Sequence, residues 1–110
     1  MPRLLFVLVA SLALTPLPGQ ASESALGKPY GLLIHDQGGA FFYHDGPRTN
    51  RPSCATQDRW VINVTTPAGQ AMYAAVLTAV ASGRKIAVHG SGACSFWGDT
   101  ESVTSLQVFD

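Results

Sequence analysis

From residue 59 onward the apolar positions change period twice. Residues 59–65, RWVINVT, alternate and are rich in Trp, Val and Ile, which predicts a strand. Residues 66–83 switch to helical spacing. Thr66 offers an N-cap hydroxyl, Pro67 fits the first helical position because its missing N–H costs nothing there, and Gly83 supplies the stop. Between them Met72, Val76, Leu77 and Val80 form an apolar stripe predicted to pack on the core. Residues 86–89 and 102–109 return to strand character. Upstream, residues 30–36 and 40–44 are two β-prone runs joined across Gln37-Gly38-Gly39, a hairpin signal. A turn closed by the glycines places Leu32 and Ile34 on the core face with Phe41 and Tyr43. Leu33 and His35 then share the outward face with Phe42 and His44.

Residues 45–56 carry two prolines, a glycine and two arginines and read as a loop. The predicted order is therefore three strands, a helix and two strands, with Trp60 in the core. A helix lodged between the third and fourth strands is the order of an OB-fold-like five-stranded barrel. The expected class is mainly β with one helix.

The first residues belong to a different logic. Arg3 supplies a positive charge, residues 4–14 are apolar, Thr15-Pro16-Leu17-Pro18 breaks the run, and Gly19-Gln20-Ala21 offers small residues for cleavage. Residues 1–21 are read as a signal peptide, too short in its apolar stretch for a membrane span. Residues 22–28, small and polar, are read as a flexible lead-in, and residues 29–110 as one domain. The expected location is secreted or periplasmic. Export also bears on the chain's two cysteines, which in an oxidising compartment pair as Cys54–Cys94. Closing that loop stabilises a small domain by roughly 4 kcal/mol on the chain-entropy argument. Their spacing offers no thiolate metal site.

Charge narrows the partners. Of seven basic residues one, Arg3, leaves with the leader, so six face seven acidic residues. That balance gives no electrostatic drive toward nucleic acid. More informative is where charge is missing, because residues 60–83 contain none. The helix side away from the apolar stripe shows Ala71, Ala74, Ala75, Thr78 and Ala79. Alanine tolerates water as a good helix former, and equally it allows another backbone close, so a subunit interface in a homo-oligomer is the second reading.

The segment RWVINVTTPAGQAMYAAVLTAVASGRKIAVHGSGACSFWGDTESVTSLQV resembles small exported bacterial proteins described as similar to the subtilase cytotoxin B subunit. In layout it is similar to B subunits of five-subunit toxins. The resemblance covers about half of the chain and rests on the helix pattern, the glycine-bounded Cys94 and WGDTE. It implies an OB-fold, a pentamer with helices toward a pore, cell-surface glycan as ligand and an enzymatic A-type partner subunit.

The residues offer little catalysis. His35-Asp36 and His44-Asp45 repeat a dipeptide, and with His89 three histidines are present, but none has metal-ligand spacing and no metal or other cofactor is expected. No serine sits in GxSxG and both cysteines are committed to the bridge, so a non-enzymatic protein is expected. Sugars present apolar CH faces and hydroxyl edges, which suit exposed aromatics beside polar groups. The candidates are Phe42 with His35 and His44 on the outward hairpin face, and Phe96-Trp97 beside Asp99. Three alternatives remain open at this point: a small inhibitor acting through the loop that bears Arg48 and Arg51, a histidine metal-binding domain, and a purely structural surface protein that binds nothing soluble.

Overall fold

The computed structural model describes residues 22–110; the expected leader, residues 1–21, lies outside them. Seven strands and one helix follow in the order β1 (Glu23–Gly27), β2 (Pro29–Ile34), β3 (Gly39–His44), β4 (Arg48–Thr49), β5 (Trp60–Asn63), α1 (Pro67–Ser82), β6 (Lys85–Gly90) and β7 (Glu101–Phe109). They form one sheet in the order β2-β3-β5-β7-β6-β1-β4. Every pairing is antiparallel except β5 with β7, where Trp60 lies opposite Glu101 and Val61 opposite Ser102. The class is mainly β with one helix and one disulfide, as expected. The strand count is not five but seven, and the end strands β2 and β4 are not paired with each other.

The first correction concerns residues 22–28, which are not a flexible lead-in. Glu23–Gly27 is a strand that pairs with both β6 and β4. Small polar residues mislead here because their hydroxyls are buried and satisfied. Ser22 Oγ accepts from Arg48 Nε at 3.2 Å, Ser24 Oγ accepts from Trp60 Nε1 at 3.2 Å, and Ser22 O accepts from the Gly90 N–H at 2.7 Å. Only Lys28 separates β1 from β2, yet the two pair with different partners. Asp45 holds that corner from both sides: its Oδ1 accepts from the Lys28 N–H at 2.6 Å and its own N–H donates to Lys28 O at 3.2 Å.

The second correction is the face of the hairpin. His35 O accepts from the Gly38 N–H at 3.0 Å, so Asp36 and Gln37 form the turn, and Gly38 takes the left-handed φ of 86° beside it. A register shift between Tyr30 and Leu33 then pairs Leu33 with Phe41 and Ile34 with Ala40. Ala40 and Phe42 join the core, Leu32 packs against it, and Tyr43 and Ile34 are exposed. Phe41, also buried, lies on the opposite face of β3 from Phe42.

The helix begins and ends where its caps predict. Thr66 Oγ1 accepts from the Gly69 N–H at 3.0 Å, Pro67 follows the cap, and Gly83 takes φ 68° while its N–H donates to Ala79 O. Its rotation differs from expectation. Gly69, Val76 and Ala79 are buried and Met72 and Tyr73 pack on the core, whereas Leu77 and Val80 are about two-fifths exposed. Ala79, expected at a free interface, is therefore a core residue. The cause is the composition itself: a helix with no charged residue has no strongly polar face to declare which side is wet.

Two further contacts brace the fold. Cys54 and Cys94 are bonded, with Cα atoms 6.1 Å apart, tying the loop before β5 to the loop before β7. Glu101 is wholly buried; its Oε1 meets Arg48 Nη2 at 2.7 Å and its Oε2 accepts from the Gly92 N–H at 2.8 Å. At the glycine-rich bend of residues 90–92, the Gly92 amide thus donates to the chain's own carboxylate.

A candidate ligand-binding surface

The outer face of β3 and β5 carries an aromatic cluster. Alternation turns Phe42 inward and Phe41 outward, and in β5 it turns Trp60 and Ile62 to the core. Arg59, just before β5, reaches over this outer face with its guanidinium 4.2 Å from the Phe41 ring centre. Cation and ring are attracted through the ring quadrupole.

Trp97 comes from the loop that the disulfide ties down. Its ring packs edge-on to Phe41 at 4.8 Å and 84°, edge-on to His35 at 4.8 Å and 65°, and tilted to Phe96 at 6.3 Å. The loop folds back on itself there, since the Thr100 N–H donates to Trp97 O at 3.1 Å. Thr100 Oγ1 accepts from Arg59 Nε at 3.1 Å and donates to Asp99 Oδ1 at 2.8 Å, while Asp99 Oδ1 stands 3.6 Å from Arg59 Nη2. A charged pair and three aromatic rings are held as a unit around Trp97.

His35 sits at the rim, with its side chain 39% exposed. Its Nδ1 lies 3.1 Å from the Gln37 N and 3.0 Å from Asp36 Oδ1. With the proton on Nε2, Nδ1 accepts from the Gln37 N–H there; with a proton on Nδ1 the ring donates to Asp36 instead.

Of the sequence candidates, His35, Phe96, Trp97 and Asp99 are therefore brought together from two distant segments. Phe42 is not among them, since it is 1% exposed in the core; Phe41, itself 2% exposed, lies beneath Trp97 and Arg59 and supports them rather than offering a face of its own. His44 is not there either. Pro29 pairs with His44 and Ile34 with Ala40, so His35 and His44 occupy opposite ends of the hairpin. His44 Nε2 donates to Ile86 O at 2.8 Å and its Nδ1 accepts from the Gly46 N–H at 3.2 Å, which requires the neutral ring protonated on Nε2. Among the described residues no three His, Cys, Asp or Glu side chains converge as metal ligands.

Arg59 is the residue that sequence reading missed. The available signal was its period-two relation to Val61, which places it on the outer face wherever Trp60 and Ile62 point inward. On the helix, Ala71, Ala74 and Thr78 are exposed and Ala75 is half-buried. Together the rings supply apolar faces and Asp99 and Arg59 supply an acceptor and donors, the two kinds of group that a hydroxylated ring engages. Compared with known protein families, curated proteins and solved structures, the chain matches none of them.

Proposed function

We propose that this is an exported, non-enzymatic binding protein that recognises glycan through the Trp97 surface. The observation that carries the reading is Trp97 held edge-on between His35 and Phe41, with Asp99 and Arg59 beside it. Rigid aromatic faces next to a fixed charged pair suit a sugar ring, whose CH patches stack and whose hydroxyls both donate and accept. The disulfide is consistent with an oxidising compartment. Among the described residues no helix is long and apolar enough to cross a membrane.

The OB-like part of the proposal rests on topology. Taking β1 and β2 as one strand bent at Lys28, and setting aside the two-residue β4, leaves five strands with the helix between the third and fourth. The third and fifth of these are the parallel pair. This layout, with the resemblance to the subtilase cytotoxin B subunit, also supports assembly into a ring, for which a partner A-type subunit is the further implication. Leu77 and Val80, exposed on a helix without charge, favour the assembly independently.

The deciding experiment is a glycan panel with the oxidised protein and its Trp97→Ala variant. Binding by the wild type that is lost in a folded Trp97→Ala protein is the expected outcome. A blank panel for the wild type overturns the reading.

A further inference from the structure

A second site lies at the mouth of the core, on the other face of the sheet from Trp97. A cavity of about 480 Å³ opens there, with Trp60 as part of its wall and Arg48 and Arg51 along it. The Arg48 guanidinium lies 3.9 Å from the Trp60 ring centre and its side chain is 9% exposed. Behind, Nη2 is held by buried Glu101 and Nε by Ser22 Oγ. Ahead, Nη1 is 3.4 Å from Asp58 Oδ1 and 3.4 Å from Arg59 O.

Arg51 Nη1 reaches that same Asp58 oxygen, at 3.3 Å. Two guanidinium groups, one from β4 and one from the loop that follows it, thus converge on one carboxylate oxygen. Both distances exceed the roughly 2.7–2.9 Å of a strong charge-assisted bond. Asp58 is 75% exposed, so the pairs are screened by water and weakly held. The neighbouring wall groups are already satisfied. His44 uses both ring nitrogens on backbone, and Asp45 Oδ1 is taken by the Lys28 amide. The wall carries Arg48 and Arg51 against the carboxylates Asp45 and Asp58, with Arg48 also paired to Glu101 behind it, so an incoming oxyanion gains the two guanidinium groups by taking the position that Asp58 occupies.

We propose that this cavity binds the oxyanion group of a small ligand between Arg48 and Arg51, with Asp58 as the internal competitor that leaves when the ligand enters. The chemistry is shared by a free inorganic anion and by the acidic substituent of a sugar. The proposal is independent of the Trp97 surface.

Calorimetric titration of the oxidised protein with sodium glucuronate, glucose and sodium sulfate tests it. Glucuronate is expected to bind saturably, and Asp58→Asn to tighten it roughly fivefold by removing the competitor. Arg51→Gln, at a half-exposed position, weakens it by at least as much. The same titrations in Trp97→Ala remove any contribution of the Trp97 surface; glucuronate binding that persists there belongs to this cavity, so failure here and failure of the glycan reading are separable. Sulfate binding as tightly as glucuronate assigns the site to free anions; much weaker sulfate assigns it to acidic sugars; both support oxyanion recognition. The proposal is overturned if neither anion binds the wild type or Asp58→Asn, if glucuronate binding is lost in a folded Trp97→Ala protein, if glucose binds Trp97→Ala as well as glucuronate does, or if Asp58→Asn fails to tighten binding while its melting temperature is unchanged.

Discussion

Glu101 shows how one residue can decide whether three segments stay together. Its two oxygens join Arg48 in β4 to the Gly92 amide after β6, and Gly90 must lack a side chain for the carboxylate to fit, since a Cβ there would fall within 2.1 Å of Oε2. Removing one partner of such a buried pair leaves the other charge in a low-dielectric site. Glu101→Ala is expected to cost about 3–5 kcal/mol of stability, read as a shift in the urea midpoint. An unchanged midpoint would mean that water reaches Arg48 freely once the carboxylate is gone. A double replacement by apolar residues of matching volume should cost far less than either single change, because no orphan charge remains.

At the scale of elements, α1 makes a prediction against helix propensity. Alanine normally stabilises a helix relative to glycine by up to about 1 kcal/mol. At Gly69 the added methyl would lie 1.7 Å from Asn63 O, where the helix start is pressed onto the end of β5. Gly69→Ala should therefore destabilise, by roughly 1–3 kcal/mol as for other overpacked sites, and a raised melting temperature would contradict that packing. Thr66→Ala should lose about 1 kcal/mol through the cap alone. The outer face of the same helix bears on assembly. If Leu77 and Val80 are covered in an oligomer, Ala74→Glu should lower the native mass to that of a folded monomer; a wild type already monomeric at high concentration would remove the reason for their covering.

For the molecule as a whole, the disulfide links both candidate sites. Cys54 lies in the loop that carries Arg51 and Asp58, and Cys94 in the loop that carries Phe96, Trp97 and Asp99. Replacing both cysteines by serine should lower stability by roughly 4 kcal/mol through loop-closure entropy. It should also weaken ligand binding at both loops at once. Loss at one loop alone would show that the other is held by its own contacts, such as the bond between the Gln57 N–H and Asp99 O.

What could be read from the chain was what local chemistry dictates. Thr66, Pro67 and Gly83 set the helix ends through their own backbone and side-chain groups. The alternation of residues 60–63 declared a strand, and a chain with two cysteines has one internal pairing. His35, Phe96, Trp97 and Asp99 were picked out because aromatic and polar residues stand out in small loops, and the fold places these four near one another. The remainder depended on groups far apart in sequence. Whether Phe41 or Phe42 faces the core turned on one turn residue and one register shift, and a slip of one residue exchanges the faces of a strand. Ser22 and Ser24 look like a solvated tail until Arg48 and Trp60, 26 and 36 residues away, satisfy their hydroxyls. The side of α1 that is buried was decided by the sheet, since the helix carries no charge to orient itself. Tertiary structure alone determined the Arg48–Glu101 pair, 53 residues apart, because nothing in either residue's neighbourhood marks it as half of a buried ion pair.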